Sequence, residues 1–370
     1  MQQRVIISQD IEHDLAQAIA ETEHDRVFVL TDDITQECCL PKVAVLFAKH
    51  NATTITIHHD DTNKTLATLA DVWTALQRGG ATRHSLLVNL GGGMVTDLGG
   101  FAAATFKRGI NFINIPTTLL AMVDAAVGGK TGINFGGLKN EVGAFANARY
   151  VIVNTCFLDT LDTANLCSGY AEMLKHSLIS NAQMWAEHVN FDILQPDLAE
   201  LQRMVAASIS VKEHIVADDP HEHGIRKALN FGHTIGHALE EFSMQQPGGA
   251  VVSARLLPLA RARTAPKNTL LHGYAVAFGL IGELYISARK AGFPTARLHQ
   301  TARFIRENYG AVAFTCDDYP TLLNLMRHDK KNTSDTINFT LLHDIGDIRI
   351  NQTATDEEIR EALDFIREGY

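Results

Sequence analysis

A chain of 370 residues exceeds what one hydrophobic core usually covers, so we expect two domains. The formal net charge of -10 argues against general nucleic-acid binding, although single pockets can still be cationic. Five cysteines without a CxxC pair are typical of free thiols in a reducing compartment. Because neither a signal-peptide pattern nor an apolar run of membrane-spanning length is evident, we expect a cytoplasmic protein that binds neither nucleic acid nor membrane.

Residues 1–158 alternate short apolar runs with amphipathic segments. The runs that predict strands are RVFVLTDD, TTITIHH, SLLVNLGGG, FINIPTT and YVIVNT. Short β-rich runs separated by helical patterns favour a parallel sheet covered by helices, and ligands gather where such strands end. We therefore predict an α/β domain of Rossmann-like type over this range.

Residues 159–370 change to long helical periodicity, as in NLCSGYAEMLKHSLIS and YAVAFGLIGELYISARKAG. This pattern predicts a second, mainly α-helical domain. The segment 243–271 departs from it, because its prolines and glycines break helices and all of its charges are positive. It is either a surface insertion or a basic flap over a phosphate site.

A Gly-rich stretch, NLGGGMVTDLGG, follows one of the predicted strands and leads into a helical pattern. Backbone N–H groups at such a turn can hold a pyrophosphate. The GxGxxG fingerprint is incomplete, because Thr96 occupies the last glycine position. The glycines therefore indicate either a tight turn or a nucleotide site.

The stretch IPTTLLAMVDAAVGGKTGINFGGLKNEVGAF offers Lys130, Lys139 and Asn140 in Gly-interrupted sequence that we predict to be a loop. Asp124 lies upstream, and Arg108 comes just before the preceding strand. Lysines set among glycines suggest that an anion approaches the backbone closely. A solvated loop remains the alternative.

The stretch LNFGHTIGHALEE places His233 and His237 one helical turn apart, so that they share a helix face. In GYAEMLKH, Glu172 and Lys175 share a face in the same way. Glu172 and His233, together with His272 in LLHGYAVAFG, offer the two imidazoles and one carboxylate that catalytic zinc accepts. The alternatives are ordinary helix histidines and a surface salt bridge.

Taken together, these stretches resemble the 3-dehydroquinate synthases, a branch of the sugar phosphate cyclases. The likeness runs from TDD at residue 31 to RHDKKNT at 327–333. It is strongest in GGGMVTDLGGF, PTTLLAMVDAAVGGKTGINFGGLKN, GYAEMLKH, RKALNFGHTIGHA and HGYAVA. It implies an N-terminal NAD-binding α/β domain, a C-terminal helical metal-binding domain and a homodimer. The reaction implied converts 3-deoxy-D-arabino-heptulosonate 7-phosphate, a phosphorylated sugar acid, to 3-dehydroquinate and phosphate. It proceeds by transient oxidation with NAD, phosphate elimination, reduction and aldol closure.

The resemblance also assigns roles to residues of this chain. Glu172, His233 and His272 would bind a divalent metal, zinc or cobalt, and His237 would be a catalytic group beside it. The positions that match the family's NAD contacts are Asp32, Asp61, Lys64, Gly92, Gly93, Asp97, Thr117, Thr118 and Lys139.

Substrate contacts carry over by the same comparison of motifs. Arg108, Lys130 and Asn140 would hold the phosphate, while Asp124 and Glu222 would orient neighbouring groups. The positions that match contacts to the substrate carboxylate and hydroxyls are Lys175, Lys212, Arg226, Asn230 and Lys330. Those to which we assign catalytic roles are Lys130, Asn140, Lys175, Lys212, Glu222, Arg226 and His237.

This sequence departs from the family pattern at several points. The gap from His233 to His272 is longer than usual by roughly twenty residues, at a loop-closure cost on the order of 1 kcal/mol. Tyr274 replaces a common glutamate, and Ile34 replaces a polar residue near the nucleotide. Three other functions are considered: another sugar phosphate cyclase, a metal-dependent dehydrogenase of the glycerol dehydrogenase type, and a binding protein without activity.

Overall fold

The structure is a computed structural model that describes residues 3–245, 251–252, 269–328 and 336–369. The chain forms two compact units, Met1–Leu161 with Asp197–Ile209 and Asp162–Pro196 with Ser210–Tyr370. These units are defined by packing alone, so the predicted division into functional domains at residues 158 and 159 stays a prediction.

A six-stranded sheet forms the centre of the first unit, in the order β1-β8-β5-β4-β2-β3, and all of its pairs are parallel. The predicted parallel sheet is therefore confirmed. Its central strands β2 and β4 are buried at every residue, as expected for a sheet covered on both faces. The strands of this unit are β1 Arg4–Ile7, β2 Val27–Asp32, β3 Thr53–Ile57, β4 Leu86–Gly91, β5 Asn111–Pro116, β6 Lys130–Phe135, β7 Leu138–Phe145 and β8 Tyr150–Val153.

The order of the strands identifies where a ligand would bind in this unit. From β2 the chain moves outward to β3, whereas from β4 it moves the other way, to β5. Ligands of open parallel sheets bind beyond the carboxyl ends of the strands where the order reverses, here β2 and β4. The helices that lie entirely in this unit are α1 Ile11–Glu21, α2 Asp33–Cys38, α3 Ala44–Lys49, α4 Leu66–Arg78 and α5 Gly93–Thr105.

The segment around Lys130, predicted to be a loop, is a β-hairpin of β6 and β7. Gly136 and Gly137 both have positive φ angles, 61° and 83°, as required in the tight two-residue turn that joins such strands. Gly132 and Gly143 lie opposite each other, and a Cβ on Gly132 would come within 2.7 Å of a backbone oxygen. The glycines that suggested a loop therefore make the turn and the close strand contact.

The second unit is mainly helical, as predicted, and helix α8 begins in the first unit and ends in the second. Within the described ranges, no helix is long and apolar enough to cross a membrane. The remaining helices are α6 Thr163–Ser180, α7 Ala182–Asn190, α8 Leu198–Asp218, α9 His233–Gln245, α10 His272–Lys290, α11 Thr295–Tyr309, α12 Tyr319–Arg327 and α13 Asp356–Glu368. The remaining strands are β9 Val251–Val252, β10 Ala311–Val312, β11 Asn338–Asp344 and β12 Asp347–Thr353.

Short turns of helix connect several of these elements. The 3₁₀ turns are Leu40–Lys42, Asp61–Asn63, Phe106–Arg108, Thr155–Thr160, Ile225–Asn230 and Cys316–Asp318, and a π turn spans Ala121–Ala125.

Candidate metal centre and nucleotide-binding region

Side chains from three helices converge in the second unit. Glu172 comes from α6, His233 from the start of α9 and His272 from the start of α10. Oε1 of Glu172 lies 3.3 Å from Nε2 of His233 and 3.3 Å from Nε2 of His272. One ligand atom from each residue lies within 4.8 Å of the other two. The fold therefore brings together the three residues that the sequence predicts as metal ligands.

The spacing of these atoms fits one tetrahedral metal ion. Zinc binds imidazole nitrogen and carboxylate oxygen at about 2.0–2.2 Å, so two ligand atoms at a tetrahedral angle lie roughly 3.3–3.6 Å apart. Both contacts of Glu172 are 3.3 Å, at the lower end of this range. One carboxylate and two imidazoles leave a fourth position for substrate, as in catalytic zinc sites.

The other ring nitrogens of the two histidines also have acceptors. Nδ1 of His233 lies 3.1 Å from the carbonyl oxygen of Phe231, and Nδ1 of His272 lies 3.0 Å from Oε2 of Glu240. Each Nδ1 can therefore carry the proton and donate it, which leaves the Nε2 lone pair facing Glu172. Metal-binding histidines generally have such a partner on the second nitrogen.

The electrostatic balance of this cluster favours a bound cation. Burial by itself would raise the pKa of Glu172, but Lys175 and the histidines hold that pKa well below its usual range. Burial would lower the pKa of His272, yet the carboxylates of Glu240 and Glu172 outweigh it and raise this pKa to about 10. Glu172 is therefore ionised, and His272 lies in the field of two carboxylates that also favours a bound cation.

A buried carboxylate that the sequence analysis missed aligns α9 with α10. Glu283, on α10 and fully buried, accepts hydrogen bonds from the backbone N–H groups of residues 232, 234 and 235, at 2.7, 2.9 and 3.2 Å. It thus caps the beginning of α9, where a negative charge is favoured. A Cβ on Gly279 would lie 1.9 Å from the carbonyl oxygen of Gly232, so the two helices need glycine to approach this closely. No local sequence signal marks Glu283, because its partners lie on another helix.

His237 lies beside the metal-ligand set and is not part of it. Its ring centroid is 5.2 Å from that of His233 and 5.9 Å from that of His272. The ring is partly buried, which leaves it some access to solvent. This position fits the predicted division between two ligand histidines and one neighbouring catalytic histidine.

The loop after α8 holds several residues predicted to contact substrate. The guanidinium of Arg226, 2% exposed, donates to a backbone carbonyl of the same loop at 2.6 Å, and Asn230 donates to Glu222 at 2.6 Å. Asp219, missed by the sequence analysis, accepts from the backbone N–H groups of residues 223, 224 and 226. These bonds outweigh burial and lower the pKa of Asp219 below its ordinary value of 3.8.

Two predicted substrate lysines are buried. Lys175 is 1% exposed, and its ammonium group contacts Oε2 of Glu172. Lys212 is 6% exposed and lies on α8. A charged ammonium group out of contact with water requires a polar or anionic environment. Lys330, the third lysine of the predicted set, lies outside the described residues.

The Gly-rich turn joins β4 to α5 in the first unit. Helix α5 begins at Gly93, and Gly92 caps it without any side-chain hydrogen bond, so the helix start is suited to an anion. A Cβ on Gly92 would lie 3.1 Å from Thr118, and Thr117 donates its backbone N–H to the last residue of β4 at 3.0 Å. Asp32 ends the neighbouring strand β2 and accepts a backbone N–H of α2 at 2.8 Å. The predicted nucleotide residues thus lie at the reversal of strand order.

A polar network connects further predicted nucleotide residues. The ammonium group of Lys64, which is 3% exposed, donates to Asp97 at 2.5 Å and to Asn140 at 2.5 Å. Burial raises the pKa of Asp97 although Lys64 opposes it. The ammonium nitrogen of Lys139 lies 3.4 Å from Oδ2 of Asp61. The structure therefore groups Asn140, which we predicted for the phosphate, with the nucleotide set.

The other predicted phosphate residues occupy separate parts of the same unit. Lys130 on β6 lies opposite Phe145 on β7. Phe145 is five residues beyond Asn140, which corresponds to roughly 16 Å along the strand. Arg108 has a left-handed φ of 66° in the turn before β5. Asp124 lies in the π turn. The structure does not bring Lys130 and Asn140 to the same position along the hairpin.

Glu240 is a third residue that the sequence analysis missed, and here a signal was present. It follows His233 and His237 at the spacing i, i+4, i+7, which places all three on one face of α9. Extending the histidine pattern by one more turn would have found it.

Most of the chain matches the models of one protein family. Residues 54–168 match the model of the 3-dehydroquinate synthase N-terminal domain, and residues 169–257 and 260–332 match that of the C-terminal domain. A 3-dehydroquinate synthase from Parabacteroides distasonis is 50% identical over 369 residues, covering 100% of this chain and 99% of the relative. One from Clostridium tetani is 32% identical and covers 92% of this chain and 86% of the relative.

Solved structures share the fold. A 2-deoxy-scyllo-inosose synthase, solved with carbaglucose-6-phosphate, NAD+ and Co2+, has a TM-score of 0.81 at 22% sequence identity. The match covers 98% of this chain and 95% of that one. At this identity the likeness supports the fold alone, whereas the curated relatives identify the family.

Proposed function

The chain belongs to the 3-dehydroquinate synthase family, and we propose that it converts 3-deoxy-D-arabino-heptulosonate 7-phosphate to 3-dehydroquinate and phosphate in the shikimate pathway. The observation that carries this proposal is the set of Glu172, His233 and His272, which has the geometry of a catalytic metal site inside the family's own C-terminal region. Enzymes of this family are lyases of aromatic amino-acid biosynthesis.

The residues fit the two cofactors that the reaction needs. Glu172, His233 and His272 would hold zinc or cobalt, since both metals accept one carboxylate and two imidazoles. When bound, NAD would take up and return a hydride, and the metal would polarise the substrate hydroxyl that is oxidised. The residues that would bind NAD are Asp32, Asp61, Lys64, Gly92, Gly93, Asp97, Thr117, Thr118 and Lys139.

Cationic side chains would hold the substrate carboxylate and hydroxyls. Lys175, Lys212 and Arg226 are almost fully buried, and their charges suit a carboxylate that has left water. Asn230 and its partner Glu222 would contact the hydroxyls, and Asp219 keeps their loop in place. Lys330 would complete this set. A substrate held in one conformation by these contacts closes its ring more readily, because the two reacting ends of the molecule are already close together.

The leaving phosphate and the proton transfers would depend on another group of residues. Arg108 and Lys130 would contact the phosphate, and Asp124 would orient its neighbours, whereas Asn140, which accepts from Lys64 at 2.5 Å, would lie with the NAD residues. His237, beside the ligand histidines and partly exposed, can exchange a proton with substrate and with solvent.

Other enzymes with this fold act differently, so the fold does not decide the substrate. The structural relatives include sugar phosphate cyclases and a probable glycerol dehydrogenase from Sinorhizobium meliloti, which has a TM-score of 0.57. The buried cationic side chains of Lys175, Lys212 and Arg226 favour a substrate that carries a carboxylate, and 50% identity to a 3-dehydroquinate synthase points the same way.

We expect a homodimer in the cytoplasm. Four large apolar side chains of the β6–β7 hairpin are between 39% and 57% exposed, and a second copy of the chain would cover them. Free thiols at all five cysteines are consistent with a reducing compartment. Sedimentation at micromolar concentration would test the dimer. The exposed apolar residues are Phe135, Leu138, Val142 and Phe145.

The proposed reaction is tested by incubating the purified protein with 3-deoxy-D-arabino-heptulosonate 7-phosphate, NAD and cobalt or zinc. Phosphate and 3-dehydroquinate should form in equal amounts, stop forming with a chelator and resume when metal is restored. If metal and NAD bind but neither product forms, the substrate assignment is wrong.

A further inference from the structure

Glu240 extends the histidine face of α9 by one helical turn. It follows His233 by seven residues and His237 by three, and it is 5% exposed. Its Oε2 lies 3.0 Å from Nδ1 of His272, on the next helix. A buried carboxylate on α9 therefore contacts a candidate metal ligand carried by α10.

The ring of His272 lies between two carboxylates. Glu240 faces Nδ1 at 3.0 Å, and Glu172 faces Nε2 at 3.3 Å. An imidazole binds metal through Nε2 only when that nitrogen carries no proton, so the proton must be on Nδ1. A carboxylate acceptor at Nδ1 favours this tautomer and also fixes the rotation of the ring about its side-chain bonds.

The position of His272 in the chain makes such an anchor important. It is the first residue of α10 and comes after the long segment that separates the two histidine ligands. A second contact lies next to the first, because Ser243 on α9 accepts the backbone N–H of Leu270 at 3.1 Å. The two contacts tie the residues just before and at the start of α10 to α9.

On the basis of the metal site proposed above, we propose that Glu240 is a positioning residue that holds His272 with Nε2 directed at the metal. Stability alone does not explain a buried ionised group, because an apolar residue of similar size is often at least as stabilising. A supporting partner of a ligand histidine typically changes metal affinity by about 10- to 100-fold.

The test uses the full-length protein with cobalt alone as the probe. Glu240→Ala removes the acceptor, and we expect it to weaken cobalt binding by about 10- to 100-fold in competition with a chelator. Glu240→Gln keeps an oxygen that can accept a hydrogen bond from Nδ1 of His272, so this variant should lose less cobalt affinity. Glu241→Gln changes the same charge at the adjacent exposed position and should leave affinity unchanged.

The visible absorption spectrum of bound cobalt separates positioning from general destabilisation. Glu240→Ala should alter the spectrum, because the imidazole is no longer held in one orientation, whereas Ser243→Ala should retain the wild-type spectrum. Wild-type affinity and spectrum in Glu240→Ala would overturn the inference and leave the metal site standing. Equal losses of affinity in Glu240→Ala and Ser243→Ala, with unchanged spectra, would also overturn it. A wild-type protein that binds no cobalt would contradict the proposed metal site itself.

Discussion

The metal-ligand cluster of the second unit and the Lys64 network of the first are both buried and polar, but their charges balance differently. In the network, the single cation Lys64 has an anionic partner, Asp97, within the chain. In the cluster, the carboxylates of Glu172 and Glu240 both face His272, whose pKa rises to about 10. The network pairs its cation with Asp97, whereas in the cluster Glu172, which already contacts Lys175, and Glu240 face opposite nitrogens of one imidazole.

The Gly-rich turn of the first unit differs from the cluster in how its residues are arranged along the sequence. The Gly-rich turn is one contiguous motif, because a single strand-to-helix junction forms it. The cluster takes one residue from each of three helices, and its supporting groups Glu240 and Glu283 come from two of those helices. Local sequence can therefore reveal the Gly-rich turn, whereas the cluster depends on helix packing.

Removal of a metal-ligand residue should have the largest effect on metal affinity and activity, and it tests whether the cluster binds a cation. We expect His272→Ala to lower metal affinity by more than about 100-fold, the upper range for residues that only support a ligand. Product formation should cease. Metal content after dialysis and a phosphate-release assay measure the two effects. His13→Ala, at an exposed position on α1, is the control. Full metal content with normal turnover in His272→Ala would refute the ligand assignment.

Removal of the cation from the network tests the other side of the comparison. Lys64→Met leaves Asp97 buried without its partner, and breaking a buried ion pair costs about 3 kcal/mol or more of unfolding free energy. NAD affinity should fall as well. Urea unfolding and NAD titration measure these changes.

The matched control for Lys64→Met is Lys42→Met. Lys42 pairs with Asp159 at 2.7 Å, but both side chains are partly exposed, so its loss should cost about 1 kcal/mol or less. Equal losses of unfolding free energy in Lys64→Met and Lys42→Met would mean that the burial of the Lys64 network has no energetic consequence.

The smallest effect is expected from Asp219, which supports the substrate loop and not the metal. Asp219→Ala should raise KM by up to roughly tenfold, less than the 100-fold that a 1 Å displacement of a reacting group can cause. Metal affinity should not change. A parallel loss of metal affinity would show that the loop and the cluster are not independent.

The pH dependence of the Asp219 effect follows from its pKa. Folding lowers the pKa of Asp219. Its ionised carboxylate therefore stabilises the loop fully above the ordinary pKa of 3.8, and this stabilisation is lost as the pH falls through the lowered pKa. The increase in KM for Asp219→Ala should therefore be constant between pH 6 and pH 9. Steady-state kinetics across this range provide the measurement.

Much of the fold could be predicted because its signals are local. The apolar runs of β2, β3, β4, β5 and β8 predicted the parallel sheet, and long helical periodicity predicted α6 and α10. The hairpin was mistaken for a loop, since Gly136 and Gly137 look the same in a tight turn and in an irregular segment. Strand pairing distinguishes the two, and pairing depends on residues that lie elsewhere in the chain.

By itself the sequence determined the family, the alternation of strands and helices, and the residue types available for chemistry, because these depend on short motifs and periodicity. Only the tertiary structure decided that Glu172, His233 and His272 meet at ligand distances, that Glu240 contacts His272 and that Glu283 caps α9. The physical reason is that helix packing sets these contacts. Three helices approach closely at glycines and at buried carboxylates, and no spacing within one segment encodes that approach.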